Sequence, residues 1–132
     1  MTAGPEVRMQ IGEVAQRTEL SIRTLRHYDE VGLVTPSARS AGGFRLYTDA
    51  DVERLLVIRR MKPLEFTLAE MKQLLESLDV LGDPASTTEQ RSAATAFVDE
   101  CHAKAQDSCV TLRRRLSYAE ELTALLSRLG SS

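Results

Sequence analysis

Tryptophan is absent from the sequence, and only three tyrosines and three phenylalanines occur. So sparse an aromatic complement argues against a β-sandwich core and toward packed helices. No run of about 18 apolar residues exists, which excludes a membrane-spanning helix of the ordinary kind. Residues 1–10 carry no apolar signal region, so the expectation is a protein that is not secreted. Two cysteines are too few for a disulfide framework, and without a secretory context they are expected as reduced thiols in the cytoplasm. Also missing are a nucleophile–base set, a phosphate loop and a paired-carboxylate site, and no enzymatic activity is expected. A chain of 132 residues can hold one modest core, or one small domain with an extended element.

The net charge of −2 looks wrong for a nucleic-acid binder, but its distribution matters more than its sum. Between Arg17 and Lys62 there are nine cations and six anions, and the anions fall mainly at helix ends. Ile11, Val14 and Ala15 describe a short helix over 11–17, Thr18 to Leu20 a turn, and Ser21 a cap for the next helix. Two short helices joined by a tight turn make a helix-turn-helix. Residues on the second helix step about 100° around its axis. Ile22 and Leu25 should then pack on the first helix, while Arg23, Thr24 and His27 face outward, with Ser21 at the same end. Arg26 sits beside the apolar stripe, open to either a phosphate contact or an ion pair with Glu13 or Glu30. Tyr28 lies at the boundary, its ring partly buried and its hydroxyl expected to reach out.

Gly32 ends this helix and Pro36 prevents its resumption. In Arg39-Ser-Ala-Gly-Gly-Phe-Arg-Leu-Tyr47 the paired glycines and the alternation of Phe44, Leu46 with Arg45, Tyr47 predict a two-stranded hairpin. With Arg39 and Arg45 it suits a phosphate backbone or a minor groove, and by itself it fits equally a solvated surface hairpin. Thr48 caps a third helix whose buried side is Val52, Leu55, Leu56 and Ile58, with Arg59, Arg60 and Lys62 near its positive-seeking end. Thr67 and Glu70 form a capping box ahead of a stripe of Leu68, Met71, Leu74, Leu75 and Leu78. Residues 79–88 read as a linker by composition. From Thr88 no glycine or proline occurs before Gly130, and Val98, Cys101, Ala105, Cys109, Leu112, Leu116, Ala119, Leu122, Leu126 and Leu129 recur mostly every three or four residues. That narrow seam is a coiled-coil pattern, and a solitary helix bearing it is marginal in water, so the simplest partner is the same helix of a second chain.

Ile11-Gly-Glu-Val-Ala15, Thr24-Leu-Arg-His-Tyr-Asp-Glu-Val-Gly-Leu33, Pro36, Gly43-Phe-Arg-Leu-Tyr47 and Asp51-Val-Glu-Arg-Leu55 closely resemble the MerR family of bacterial transcriptional regulators. The resemblance runs over about residues 9–78, in spacing and in the order of elements. It implies a mainly α fold: a winged helix-turn-helix DNA-binding domain over 9–78, a linker over 79–88, and a C-terminal dimerisation helix over 89–129 pairing as an antiparallel coiled coil. It implies a homodimer on a palindromic operator in double-stranded promoter DNA, bending and untwisting the duplex so that RNA polymerase engages both promoter elements. Arg23, Thr24, His27 and Tyr28 would make recognition-helix contacts, Gly43, Phe44, Arg45 and Tyr47 would belong to the wing, and Lys62 would touch phosphate. Three positions depart from the family pattern: His27 for tyrosine or phenylalanine, Asp29 for glutamate, and Glu65 for glycine.

The seam runs almost to Ser132, so no separate effector domain is expected. Cys101-His-Ala-Lys-Ala-Gln-Asp-Ser-Cys109 has the spacing of a copper-sensor loop in the family but lies inside the helical pattern. At 1.5 Å per residue its cysteines stand about 12 Å apart, too far to share a metal or disulfide within one chain. Either Cys101 and Cys109 are small seam residues, or in an antiparallel dimer Cys101 faces Cys109 of the second copy and the pair, with His102, forms a disulfide or holds a soft metal; no other cofactor is expected. The rival functions are an architectural DNA-bending protein without an effector, and an interaction adaptor that uses only the coiled coil.

Overall fold

The computed structural model describes residues 7–130. Most of the leader expected over residues 1–8 lies outside them, but Arg8 is no leader residue: with Met9 it forms strand β1 (Arg8–Met9). Helix α1 (Ile11–Thr18) and helix α2 (Ile22–Glu30) follow, then strands β2 (Ala38–Arg39) and β3 (Arg45–Thr48), helix α3 (Asp49–Met61), a single 3₁₀ turn over Lys62–Leu64, helix α4 (Leu68–Gly82) and helix α5 (Thr88–Gly130). The chain divides into two units, one up to Glu76 and one from Ser77 onward.

In the first unit the two expected strands belong to a three-stranded antiparallel sheet, order β1-β3-β2, with Met9 opposite Tyr47 and Arg39 opposite Arg45. Two residues are too few for a readable alternation, so β1 had no signature. Its inward residue, Met9, is fully buried. The hairpin turns through Ala41–Gly43: Gly43 takes φ +83°, its N–H donates to the Ser40 carbonyl, and the Ser40 N–H donates to the Phe44 carbonyl. A three-residue loop closed by a left-handed glycine is one of the few that matches the strand twist.

Helix α1 ends where the Thr18 hydroxyl turns back to the Val14 carbonyl at 2.8 Å and Glu19 goes left-handed at φ +60°. Ser21 Oγ accepts the Thr24 N–H at 3.0 Å and so caps α2. That helix stops in a Schellman turn: Gly32, at φ +71°, donates to the Asp29 carbonyl, and Leu33 donates to the Tyr28 carbonyl at 2.8 Å. Leu25 is wholly buried, as its place on the stripe requires, whereas Ile22 is 39% exposed. A stripe position at the first residue of a helix has neighbours on one side only.

Helix α3 starts in a capping box, Thr48 Oγ1 accepting the Asp51 N–H and Asp51 Oδ2 accepting the Thr48 N–H. The same buried Oδ2 accepts both the N–H and the hydroxyl of Ser37, at 3.0 and 2.8 Å, and pins the loop from α2 to β2. Val52, Leu55, Ile58 and Met61 are buried, and Leu56 is half-buried. After the 3₁₀ turn Glu65 stands at φ +63°. The left-handed geometry natural to glycine is therefore kept despite the β-carbon.

In the second unit α4 continues to Gly82, past the expected start of the linker, and α5 begins at Thr88, so the non-helical stretch between them is residues 83–87. Arg91 donates to the Leu81 and Asp83 carbonyls and the Ser86 hydroxyl to the Val80 carbonyl, which satisfies the end of α4. Thr87 and Gln90 make a reciprocal capping box that starts α5. Along its second half the apolar residues Val110, Leu112, Leu116, Leu122, Leu126 and Leu129 stand exposed.

Candidate nucleic-acid interface

Helix α2 has its rotation set from inside. Leu25 and Tyr28 are three residues apart and both buried, so Arg23, Arg26 and His27 are driven outward. The Ser21 hydroxyl also donates to Thr24 Oγ1 at 2.8 Å, holding two small hydrogen-bonding side chains together at the start of the helix. Arg23, Thr24, Arg26, His27 and Tyr28 line a groove of about 850 Å³. Glu30 and Lys62 share its wall, and Leu68 and Met71 from α4 form its apolar edge. Three cations against one carboxylate make it an electropositive surface, suited to phosphate and to base-edge acceptors.

Of the two alternatives for Arg26, the ion pair with Glu13 or Glu30 is not formed. Arg26 is exposed, and among the described residues it has no ion-pair partner. Tyr28 goes the other way. Its ring is almost wholly covered, with Lys62 Nζ 5.9 Å from the centroid, and its hydroxyl is buried without a hydrogen-bond partner among the described residues. The hydroxyl expected to reach out is thus inside. The cause is depth: the 3₁₀ turn brings Lys62 over a ring that the helical wheel placed only at a boundary.

On the wing, Phe44 is 73% exposed beside Gly43, and Arg39 is exposed, with Nη1 donating to the Gly43 carbonyl at 3.3 Å. Arg45 is engaged elsewhere. Its Nη1 donates to Asp29 Oδ2 and its Nη2 to Asp29 Oδ1, both at 2.8 Å, a bidentate pair joining β3 to the last turn of α2. Tyr47 is 2% exposed and belongs to the core under the wing. Burial pushes its hydroxyl pKa up, reinforced by the nearby Asp29 carboxylate. Residues whose part in this surface was not anticipated are Asp29 and Arg8, whose Nη1 donates to the Arg39 carbonyl at 3.1 Å. Asp29 carried one signal in the sequence: a carboxylate in the last turn of a helix opposes the helix dipole and asks for a cation.

Cys101 is buried and Cys109 half-buried in α5, neither in a disulfide, and His102 is exposed. Among the described residues no group of three or more histidine, cysteine or acidic side chains is arranged to hold a metal, and no helix is long and apolar enough to cross a membrane.

Residues 9–78 match the family model described as MerR HTH family regulatory protein. The HTH-type transcriptional activator mta of Bacillus subtilis is 46% identical over 70 residues, 53% of this chain and 27% of that protein. Against that relative, the chain spans about a quarter of the length. Heavy metal-dependent transcription regulator 2 of Rhizobium meliloti is 30% identical over 122 residues, 92% of this chain and 74% of that protein. Among solved structures, HiNmlR, described as a MerR family regulator lacking the sensor domain and bound to promoter DNA, matches at 25% identity with a TM-score of 0.51, over 90% of this chain and 95% of that one.

Proposed function

We propose that this chain, which belongs to the MerR family of HTH regulatory proteins and is a DNA-binding transcription regulator, works as a homodimer on a palindromic promoter operator. The observation that carries the reading is the outward face of α2. Its buried residues leave it one orientation, and in that orientation Arg23, Arg26 and Lys62 make a single electropositive groove that His27 also lines. Ser21, Arg23, Thr24, Arg26 and His27 would read the major groove, and Lys62 would hold a phosphate. Arg39, Gly43 and Phe44 at the hairpin tip would lie along the flanking backbone or minor groove.

The division proposed is a DNA-binding unit over 9–78 and a dimerisation helix over 89–129. Support for the dimer is the exposed seam from Leu112 to Leu129 on a helix of 43 residues, apolar surface left for the same helix of a second copy to cover. Two reading helices held at a set spacing can bend and untwist the duplex between them, using contact energy to supply the deformation that RNA polymerase needs. The action is non-enzymatic and takes place in the cytoplasm.

For Cys101 and Cys109 the supported role is as small residues of the seam. A relative is named for heavy metals, and a soft metal or disulfide here would need Cys101 to meet Cys109 of the second copy, with His102 alongside.

The test is binding to promoter DNA upstream of the protein's own gene across a salt series, with a footprint. Affinity should fall steeply and linearly with log salt, and the footprint should straddle a spacer longer than usual. Absence of salt-dependent binding would leave the adaptor reading in its place, and a footprint on an ordinary spacer would leave repression in place of activation by untwisting.

A further inference from the structure

We infer that Asp29 is a positioning residue for DNA recognition, its carboxylate clasping Arg45 so that the wing is held at one angle to the reading helix. The inference rests on the proposed DNA-binding function and deepens it. Four observations lead there.

First, the geometry is specific. Both carboxylate oxygens of Asp29 accept from the two terminal nitrogens of Arg45 at 2.8 Å, across 16 residues of chain. A parallel fork fixes direction as well as distance, which a lysine in the same place would not do. Second, Asp29 stands in the last turn of α2, next to Glu30, where the helix dipole and a like charge both disfavour a carboxylate. Its location works against the helix, and the favourable term is the contact with Arg45. Third, Arg45 is directly opposite Arg39 in the hairpin. Like charges so placed repel, and the tie to Asp29 draws one of them toward α2, leaving Arg39 as the wing's open cation. Fourth, Tyr47 follows Arg45 by two residues and so shares its side of β3. Tyr47 is buried, and its hydroxyl lies close enough to feel the charges of both Asp29 and Arg45.

The pair itself is partly solvated, with 49% of the Arg45 side chain and 23% of Asp29 exposed. Pairs of that exposure contribute little to global stability. What the clasp controls is the wing angle, and through it the match between wing and reading helix on one duplex. Arg45 then enters the complex already neutralised and releases no counterion of its own, in contrast to Lys62.

Binding of the full-length wild type, Asp29→Asn, Asp29→Glu, Arg45→Gln and the double variant to operator DNA across a salt series tests this, with hydroxyl-radical footprints and melting temperatures on the same samples. Removing a carboxylate beside DNA should strengthen binding if only charge matters. The clasp requires the opposite: Asp29→Asn weakens binding on the order of tenfold. It should also lose protection under the wing while keeping that under α2, with an unchanged melting temperature and a salt slope lowered by no more than the one contact of Arg39. Asp29→Glu, which keeps the fork, should restore most of the affinity, and the double variant should be no weaker than either single one. Tighter or unchanged binding by Asp29→Asn, additive losses in the double variant, or a salt slope for Arg45→Gln lower by about one than that of Asp29→Asn would overturn the inference. Wild type that shows no salt-dependent binding would instead sink the DNA-binding reading itself.

Discussion

The guanidinium of Arg59 donates through Nη1 to the carbonyl of Thr18 at 2.8 Å, joining α3 to the final residue of α1. Position near the end of α3 suggested a cation that complements its own helix dipole; the contact it makes is with the terminus of another helix. Thr18 is fully buried, so its carbonyl has no ready substitute in water. Arg59→Met, which keeps the apolar stem, should cost about 1.5–3 kcal/mol, the range for losing a hydrogen bond to a charged group and stranding its acceptor. Urea titration of the two proteins measures it.

Tyr47 gives the protein an alkaline limit. Its folded pKa is raised above the ordinary 10.0, by burial first and then by Asp29. A group whose pKa is raised on folding contributes its full stability below the unfolded value and loses it as pH climbs through the folded one. Urea midpoints should therefore hold level up to about pH 9 and fall beyond roughly pH 10. In Tyr47→Phe, with no proton to lose, the part of that fall due to Tyr47 should vanish; an identical fall in both would show that burial there is not coupled to folding.

Lys62 and His27 line the same groove and should nevertheless fail differently. Lys62→Gln removes a point charge, so it should weaken binding to every sequence alike and lower the salt slope by about one. His27→Ala should leave the slope in place and alter preference at one or two base pairs, by about 1–3 kcal/mol per position. A selection from randomised operators, run with a salt series, separates the two. Equal loss of specificity in both variants would contradict the assignment of reading and phosphate roles.

The exposed seam on α5 sets the oligomeric state. Leu122 is 54% exposed in the single chain. Leu122→Glu should convert a dimer into monomer at micromolar concentration in sedimentation, because each copy places the same charge on one interface. Operator binding should then weaken far more than binding of one half-site. A variant that sediments like the parent would place the dimer contact elsewhere.

The parts of this protein that were legible in advance are local. Caps at Ser21, Thr48 and Thr67, the stop at Gly32 and the left-handed turn at Gly43 each depend on a few consecutive residues, and each lies where its chemistry put it. The outward set of Arg23, Thr24 and His27 was legible for the same reason, since helical periodicity alone separates it from Leu25. Ile22 escaped that rule because it opens the helix, and periodicity takes no account of the missing preceding turn.

Sequence by itself determined the order of the α-helices and the hairpin, their boundaries to within a few residues, and which face of α2 carries charge. It did so because hydrogen-bond capping and side-chain periodicity act over one or two turns. Tertiary structure decided which polar groups are spoken for. Arg59 reaches Thr18 over 41 positions, Arg45 reaches Asp29 over 16, and the two residues of β1 acquire meaning only opposite β3. The Tyr28 hydroxyl, at the edge of the helical stripe, ends up inside because a later turn lays Lys62 over the ring. Such pairings require distant segments to meet, and a charge's partner is chosen by that meeting and not by its neighbours in the chain.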